Sequence, residues 1–470
     1  MKIFIRETED LNVKFVASDV ENPCGRMQGL MNNKFFTAKC GEVFLSLDEE
    51  KPALFVGLGK LEDLTIDKIK TAALKAGQKL TELGTKKIMI KMRSRIEDVN
   101  KQALAIVEGL LNSTYQFDNY KSEKSPKSQL EEINFFPKFA EGVNEADFEE
   151  LLIKWQGIIF ARDLVNTPAN DMTPSILAKN AESLKEYGVN VKVFGKDEIE
   201  KIGMKAFLSV ARGSNEEPKL IVMEYMKGEG DPIVLVGKGL TYDSGGYSLK
   251  PSDGMKTMKS DMGGSAAVIG AMKAISMAGL KKNVVAIVAT CENMVDGGAY
   301  KPGDIIGSLK GLTIEVDNTD AEGRLTLADA VFYGEKNYKP KMLIDLATLT
   351  GACLVALGMH RSGVIGRCDK CVKRVLDAAI AEDEKAWGLP YGEEYRELNK
   401  SDIADIKNSG GRFGGSSSAG EFVGAFLEKT TPWAHIDIAG PAYNSSPYRY
   451  EPAGGTGHMV KTLFRIVKES

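Results

Sequence analysis

Short apolar runs alternate with charged, helix-like stretches over the first 142 residues. The runs are KIFIR, EVFLSL, PALFVGLG and KKIMIKM, and segments such as IDKIKTAALKAGQKLTELG separate them. Apolar runs of about four to eight residues are typical of strands, whereas apolar residues recurring every three or four positions are typical of helices. The pattern predicts a smaller N-terminal α/β domain over 1–142, followed by a connecting helix over 143–165.

Beyond residue 165 the apolar runs become nearly unbroken. They are VNVKVF, KLIVMEYM, PIVLVGKG, VVAIVATC, LTIEV, KMLIDLATL and AHIDIAG. A sheet that is buried on both faces requires such runs, so we expect a mainly parallel sheet sandwiched by helices over 166–470. In open sheets of this type the functional site lies beyond the carboxyl ends of the strands. Polar residues that directly follow these runs are therefore the candidates for chemistry.

Composition and charge narrow the class of protein. Of the 470 residues, 43% are hydrophobic and 27% are charged, which is ordinary for a globular protein and excludes a disordered chain. The formal net charge is −4, without the basic balance of a dedicated nucleic-acid binder, so we expect no nucleic-acid partner. No apolar stretch is long enough to span a membrane, and the first residues lack the apolar core of a secretion signal. Six scattered cysteines fit a reducing compartment, and we predict a cytoplasmic protein with no membrane partner.

Histidine is scarce, which removes two kinds of hydrolase. Only His360, His435 and His458 occur, and the chain contains neither HExxH nor GxSxG. A zincin-type metal site and a GxSxG serine hydrolase are therefore excluded. His435 lies inside an apolar run and is expected in the core. Any hydrolytic chemistry must use carboxylates.

A first cluster of charged residues occupies VGKGLTYDSGGYSLKPSDGMKTMKSDMGG at 236–264. Its charged members include Lys238, Asp243, Lys250 and Asp261, and they follow a predicted strand among many glycines. Glycine allows the backbone to approach a small charged ligand closely. Neither GxxxxGK[ST] nor GxGxxG is present, so support for nucleotide binding is weak.

A second cluster, VDNTDAEGRL at 316–325, follows another apolar run. Asp320, Glu322 and Arg324 stand at alternate positions, so an extended backbone would direct all three side chains to one side. Acids that meet in a partly dry pocket repel each other unless a cation neutralises them. Together with Asp243 and Asp261 they make four carboxylates, whose charge two divalent cations would balance. The two clusters thus predict a two-metal site with carboxylate ligands.

These segments resemble the signature motifs of the leucyl aminopeptidase (cytosol aminopeptidase) family, which read close to VGKGxTFDSGGxSLKP, MKxDMGG and NTDAEGRL. The octapeptide NTDAEGRL stands unaltered at 318–325. The resemblance continues through ARDLVNTPANDMTP, AYKPGDI, IDLATLTGA and AHIDIAG and covers the C-terminal part of the chain. The first 140 residues match only in general character.

The resemblance implies a two-metal exopeptidase. The family's metal-binding positions fall on Lys238, Asp243, Asp261, Asp320 and Glu322. The tighter ion would be held by Lys238, Asp243, Asp261 and Glu322. The exchangeable ion would be held by Asp243, Asp320 and Glu322. Zinc or manganese is expected, with magnesium also able to occupy the exchangeable site.

The resemblance further implies the catalytic and substrate-binding positions. Lys250 and Arg324 fall on the two catalytic basic positions, where the arginine anchors a bicarbonate that acts as base. The substrate-binding positions are Met258, Asn318, Thr348, Leu349 and Gly351. Met258 would form an apolar pocket that suits Leu or Met side chains, and its alternative is simple packing in the core.

The expected activity is removal of unblocked N-terminal residues, with Leu and other apolar residues favoured, from short peptides. Because an ammonium cannot bind a cation, Lys238 must be neutral in the metal-loaded site. Two neighbouring metals can lower the pKa of a shared water and polarise the scissile carbonyl. The free α-amine would contact Asp261, so blocked peptides should resist cleavage.

Two other functions remain open at this stage. One is a two-metal phosphoesterase, because bridged metals also stabilise phosphoryl displacement. The other is a DNA-binding or regulatory role of the kind that some family members have, for which the basic run KKIMIKMRSR at 86–95 is the candidate surface. Family members assemble as hexamers, so the resemblance implies a homohexamer.

Overall fold

The structure, a computed structural model, describes residues 1–20, 25–47, 52–94 and 96–470. They form two compact units. The first comprises Met1–Trp155 and Ser446–Pro452, and the second comprises Gln156–Ser445 and Ala453–Ser470. The sequence-based division at 142 and 165 stays a prediction, and the observed division falls inside a helix. Arg95, the last residue of the basic run, lies outside the described residues.

The first unit contains a sheet with helices. Its strands are β1 Lys2–Ile5, β2 Leu11–Val16, β3 Val43–Ser46, β4 Ala53–Gly57, β5 Lys87–Met92 and β6 Glu132–Phe135. Its helices are α1 Gly25–Asn32, α2 Ile66–Glu82, α3 Val99–Thr114 and a 3₁₀ helix at Pro137–Phe139. The strand order is β1-β6-β5-β2-β4-β3, and only the β3–β4 pair is antiparallel. Side chains of Thr65 and Asp98 cap α2 and α3, as expected of Thr and Asp at helix starts.

The next helix, α4, occupies Glu145–Asn166, where a connecting helix over 143–165 is predicted. None of the helices in the described ranges combines the length and the hydropathy that crossing a membrane requires.

The second unit carries the longer strands. They are β7 Asn190–Phe194, β8 Lys219–Met226, β9 Ile233–Asp243, β10 Asn283–Asn293, β11 Ile305–Ile306, β12 Ile314–Glu315, β13 Met342–Ala347, β14 Ser362–Ile365, β15 Ala386–Gly388, β16 Ile406–Lys407, β17 Trp433–Asp437, β18 Tyr443–Asn444 and β19 Gly454–Gly455. The α-helices are α5 Pro174–Glu182, α6 Lys196–Ile202, α7 Lys205–Ala211, α8 Ser252–Met255, α9 Gly263–Met277, α10 Gly323–Tyr338, α11 Gly351–Leu357, α12 Asp369–Ala381, α13 Glu393–Glu397, α14 Gly415–Ala425 and α15 Val460–Lys468. Two 3₁₀ helices lie at Ser183–Tyr187 and Met258–Ser260.

The main sheet of this unit has the order β15-β14-β17-β13-β9-β10-β8-β7. Its centre, β17-β13-β9-β10, is parallel, whereas β7, β8 and the β14–β17 pair are antiparallel. The central strands are buried almost throughout, because helices cover both faces. The prediction of a mainly parallel α/β sheet in the C-terminal part and a smaller N-terminal α/β domain is confirmed.

One predicted strand lies elsewhere. The run LTIEV contributes only the two residues of β12, which pairs with β11 and β16 in a separate three-stranded sheet. The chain reaches β12 from Gly311 at φ +96° and leaves it for the NTDAEGRL segment. A short apolar run by itself does not specify which sheet it joins, and here tertiary pairing decides.

Candidate active site

Polar side chains gather where parallel strands of the main sheet end. Asp243 is the last residue of β9 and lies in register with Asn293, the last residue of β10. Thr348 directly follows the neighbouring strand β13. Because parallel strands end at the same edge of a sheet, these side chains meet, as the sequence pattern predicts.

Three carboxylates converge at this edge. Asp243, Asp320 and Glu322 each offer an oxygen, and these oxygens lie within 4.8 Å of one another. Glu322 immediately precedes α10, so the start of that helix sets its position. Asp243 and Glu322 are buried, and Asp320 is partly exposed. Such an arrangement needs positive charge nearby to be stable.

Lys238, in the middle of β9, provides part of that charge. Its Nζ lies 2.7 Å from Asp261 Oδ2 and 2.9 Å from Glu322 Oε1. It also donates to the carbonyl oxygen of Thr348 at 3.1 Å, while the Thr348 hydroxyl donates to Asp261 Oδ1 at 2.8 Å. Asp261 is thereby fixed between β9 and the segment after β13.

Lys250 provides the second positive charge. Its Nζ lies 2.9 Å from Asp243 Oδ2 and also forms an ion pair with Asp320. The two lysines thus connect four carboxylates into one cluster. It contains every residue predicted to bind metal: Lys238, Asp243, Asp261, Asp320 and Glu322.

The donor set fits divalent cations. Glu322 Oε2 is buried and has no hydrogen-bond partner among the described residues, although a buried carboxylate oxygen ordinarily has one. Burial, together with the nearby charge of Asp243, raises the pKa of Glu322 to about 8. Burial also raises the pKa of Asp261 to about 6. These carboxylates need more positive charge than the lysines give, and hard divalent cations prefer such oxygen ligands.

The charge state of Lys238 depends on the same balance. Burial lowers the pKa of Lys238, but the charges of Asp261, Glu322 and Asp243 outweigh burial, so the net shift is upward. Lys238 is therefore an ammonium wherever the carboxylates have no other cationic partner. The neutral Lys238 expected from the sequence stays a prediction for the metal-loaded site.

Two asparagines that we did not single out from the sequence hold the carboxylate segments. Asn293 Nδ2 donates to Asp243 Oδ1 at 2.8 Å and to the carbonyl oxygen of Thr319 at 3.0 Å. Asn408 Oδ1 accepts from the backbone N–H groups of Asp317 and Asn318. Asn293 follows the run VVAIVATC, so the strand-end rule pointed to it, whereas no apolar run of useful length precedes Asn408.

A third residue missed from the sequence is Asp437 at the end of β17. Its Oδ2 accepts from the Thr350 hydroxyl at 2.6 Å, and its Oδ1 accepts from the backbone N–H of Leu349 at 3.2 Å. Asp437 therefore fixes the segment that contains the predicted substrate-binding residues Thr348, Leu349 and Gly351.

Gly323 allows α10 to start against Lys238. A Cβ at this position would lie 2.4 Å from Lys238 Cε and 2.6 Å from Lys238 Nζ. A side chain there would push the ammonium away from Glu322. The contact with Lys238 therefore explains why a glycine stands at this position of NTDAEGRL.

The cluster lines one side of a cavity of about 530 Å³. All the site residues predicted from the sequence line this cavity: Lys238, Asp243, Lys250, Met258, Asp261, Asn318, Asp320, Glu322, Arg324, Thr348, Leu349 and Gly351. The volume is in the range typical of small-ligand sites. Met258 is half-buried and on the wall.

Arg324 occupies the first turn of α10 and is 8% exposed. Burial lowers its pKa to about 10, against the opposing charge of Glu322. Its Nε is buried without a hydrogen-bond partner in the described part of the chain. A guanidinium with a free donor at a cavity wall can bind a small anion.

His435 lies in the core, as its apolar surroundings in the sequence predict. It is 0% exposed, and its Nδ1 lies 2.5 Å from Asp345 Oδ1. Trp433 Nε1 donates to the other oxygen of Asp345 at 2.6 Å. This histidine stabilises β17 against β13 and does not line the cavity.

An α/β fold with buried carboxylates at the ends of parallel strands, beside a cavity, is typical of a metal-dependent enzyme. The chain belongs to the cytosol aminopeptidase family. The model of the family's catalytic domain matches residues 159–464, and the model of its N-terminal domain matches residues 5–124.

Relatives that match nearly the whole chain support this family membership. A probable cytosol aminopeptidase of Treponema denticola is 45% identical over 95% of both chains. One of Clostridium tetani is 44% identical over 100% of this chain and 99% of its own. The protein is therefore an enzyme, a metal-dependent aminopeptidase, and the family resemblance is confirmed.

Solved structures agree as well. A tomato leucine aminopeptidase mutant superimposes with a TM-score of 0.89 at 30% identity and covers 100% of this chain and 97% of that chain. The bottromycin maturation enzyme BotP in complex with Mn superimposes with a TM-score of 0.87 at 31% identity, covering 98% and 99% respectively. Together with the donor set, these matches imply divalent metal ions.

Proposed function

We propose that the enzyme removes unblocked N-terminal residues, with Leu and other apolar residues favoured, from short peptides. The observation that carries this proposal is the convergence of Lys238 with four carboxylates at one wall of a ligand-sized cavity. We further propose that the cavity admits a peptide by its amino end, because a free α-amine can contact Asp261 at the cluster.

Two divalent ions would be held at the cluster. Lys238, Asp243, Asp261 and Glu322 would hold the tighter ion. Asp243, Asp320 and Glu322 would hold the exchangeable one. When bound, such ions lower the pKa of a shared water and polarise the scissile carbonyl. Zinc and manganese are the proposed metals, with magnesium able to occupy the exchangeable position, and the Mn complex of BotP supports manganese.

The chain's own residues would complete the chemistry. Lys250 is proposed to stabilise the oxyanion that develops on the substrate, because its ammonium is held at the cluster by Asp243. Arg324 is proposed to hold bicarbonate as the base, and its buried, unpartnered Nε supports this role within the described structure. Both roles are electrostatic and need side chains fixed in advance.

Substrate preference would come from the apolar part of the cavity. Met258 lies on the wall rather than deep in the core, and a Met side chain adapts to Leu or Met. Gly351 leaves open space, since a Cβ there would meet no atom within 4 Å. Thr348 would complete this pocket, with Asn318 and Leu349 holding the substrate backbone.

A cytoplasmic homohexamer is proposed for the assembly. Its test is a size-exclusion mass near six times 51.1 kDa, and a clean monomer peak would contradict it. The DNA-binding alternative concerns the basic run at 86–95, in which Lys91 and Arg93 lie over the rings of Phe136 and Phe139. A mobility-shift titration across salt tests it, and the absence of a steep salt dependence would argue against DNA as a partner.

The activity is tested with Leu-p-nitroanilide and its N-acetylated form after loading with Mn²⁺ or Zn²⁺. We expect release of the chromophore from the free substrate only. Hydrolysis of an aryl phosphate in the same buffers tests the alternative hypothesis of a two-metal phosphoesterase. Inactivity towards the free amine after metal loading, or equal cleavage of the acetylated form, would refute the proposal.

A further inference from the structure

A glycine-rich loop, Ser409–Gly414, forms another part of the cavity wall. Before it, Asn408 Nδ2 donates to the carbonyl oxygen of Asn318 at 2.7 Å. After it, the hydroxyls of Ser416 and Thr350 are hydrogen-bonded at 2.8 Å. The loop therefore runs from the Asn318 segment to the Thr350 segment, and Ser409, Gly411 and Arg412 line the cavity.

Arg412 differs from the other cations of the cavity. Lys238 and Lys250 are in ion pairs with the carboxylates, and Arg324 is buried close to Glu322. Arg412 is exposed, and within the described residues it has neither an ion pair nor a hydrogen bond. It is thus a cation on the wall that the protein itself leaves unneutralised.

The charge balance favours an anionic part of the substrate at this position. The cavity is lined by four carboxylates, but all four belong to the cluster that the lysines hold and that divalent ions would occupy. A short peptide whose amino end lies at Asp261 carries its own negative charge at the opposite end. A guanidinium matches a carboxylate with two parallel N–H donors, and such charge-assisted pairs are the stronger hydrogen bonds.

We propose that Arg412 binds the C-terminal α-carboxylate of short peptides and thereby makes the enzyme selective for di- and tripeptides. The inference rests on the proposed aminopeptidase function and names the substrate class of the same site. A cavity of about 530 Å³ suits a small peptide, and a longer chain would carry its carboxylate beyond the wall. The enzyme would then select chain length because the peptide's carboxylate binds Arg412 while its amino end lies at the carboxylate cluster.

The test compares Leu-Gly-Gly with Leu-Gly-Gly-amide, which differ only in the terminal carboxylate. The wild-type enzyme loaded with Mn²⁺ should have a KM about tenfold lower for the free acid, as expected for one hydrogen-bonded charge pair. In Arg412→Gln the ratio of the two KM values should fall towards one. Arg412→Lys should restore part of the ratio, because it keeps the charge and loses the bidentate geometry.

Arg212→Gln serves as the matched control. Arg212 is also an exposed arginine, and it does not line the cavity, so the same loss of charge there should leave the KM ratio at the wild-type value. Thermal unfolding of each variant checks that the fold is retained. A third substrate, Leu-Glu-amide, carries its carboxylate on a side chain. It distinguishes binding of an acidic side chain from binding of the C-terminal carboxylate.

The outcomes are distinct. A wild-type ratio near one, or a ratio that Arg412→Gln leaves unchanged, would overturn the inference and leave the aminopeptidase function standing. A KM for Leu-Glu-amide as low as that for Leu-Gly-Gly would show recognition of an acidic side chain. This result would overturn the α-carboxylate assignment. Failure of the metal-loaded wild type on all the peptides would refute both the function and the inference.

Discussion

The Asn408 side chain is hydrogen-bonded to the backbone of the segment that carries two metal-ligand candidates, and its amide donates to the carbonyl oxygen of Asn318 at 2.7 Å. It also donates to Ala321 and accepts from Asp317 and Asn318. Asn408 is 0% exposed, so it satisfies its hydrogen-bonding groups entirely on this segment. It is therefore a positioning residue for Asp320 and Glu322.

Replacing Asn408 by Ala should lower both stability and turnover. Buried backbone groups lose their partners, so the free energy of unfolding should fall by about 1–3 kcal/mol. Residues that orient metal ligands typically contribute about 10–100-fold to affinity or activity, and we expect kcat/KM for Leu-Gly-Gly to fall in that range. Denaturant titration and steady-state kinetics measure the two effects.

Asn399→Ala is the control for that variant. Asn399 is an equally buried asparagine that donates to the carbonyl oxygen of Ser418 and does not line the cavity. It should also destabilise the protein, but less than Asn408→Ala, because its side-chain oxygen has no hydrogen-bond partner among the described residues, and it should retain kcat/KM. Equal loss of kcat/KM in both variants would mean that Asn408 acts only through general stability.

Gly323→Ala should displace Lys238. Its methyl group would lie 2.4 Å from Lys238 Cε, so the lysine must move away from Glu322. We expect a loss of about 1–3 kcal/mol in stability, as for other overpacked sites, and a large fall in metal affinity. Gly297→Ala, where a Cβ would meet no atom within 4 Å, should change neither quantity. Titration with Mn²⁺ followed by activity distinguishes the two variants.

Metal ions should stabilise the fold through the carboxylate cluster. A ligand that binds only the folded state at one hundred times its Kd adds about 2.7 kcal/mol. Removal of divalent ions by a chelator should therefore lower Tm and abolish peptidase activity, and Mn²⁺ should restore both. Asp320→Asn should retain the fold but show a smaller metal-induced rise in Tm, with kcat/KM reduced by more than about a hundredfold. An unchanged Tm of the wild type in chelator would contradict a metal-binding cluster.

Asp329 should make stability depend on pH. Its oxygens accept from the backbone N–H groups of Phe207 and Leu309, but burial dominates and raises its pKa to about 7. The unfolded carboxyl has a pKa near 3.9, so between about pH 4 and pH 7 the folded state binds more protons. The contribution of Asp329 to stability should therefore be present below this window and be lost as pH rises through it.

The measurement is the difference in unfolding free energy between wild type and Asp329→Asn across that window. As pH rises, the unfolding free energy of the wild type should fall relative to that of Asp329→Asn by at most about 1.4 kcal/mol per pH unit. A constant difference from pH 4 to pH 8 would show that folding leaves the pKa of Asp329 at its unfolded value, and would contradict the prediction.

The sequence alone indicated which residues line the cavity wall, because each of the two charged segments is local in the chain. Asp243 ends an apolar run, and Asp320, Glu322 and Arg324 share one short segment, so strand-end reasoning and charge balance led to the cavity wall. The alternation of apolar runs likewise predicted the buried parallel strands β9, β10 and β13. The extended backbone considered for residues 320–324 is wrong, because Asp320 lies in a turn and Arg324 in the first turn of α10. The three side chains nevertheless line one cavity, since the start of the helix lies at its wall.

Tertiary structure decided everything that depends on residues far apart in the chain. The hydrogen bond between Asn408 and Asn318 joins residues ninety positions apart, and the one between Leu349 and Asp437 joins residues eighty-eight positions apart. It also decided that LTIEV leaves the main sheet, that Lys250 pairs with Asp320, and that Arg412 faces the cavity without a partner among the described residues. Such relations follow from how packed strands and loops meet, and no local pattern encodes which distant group will be the neighbour.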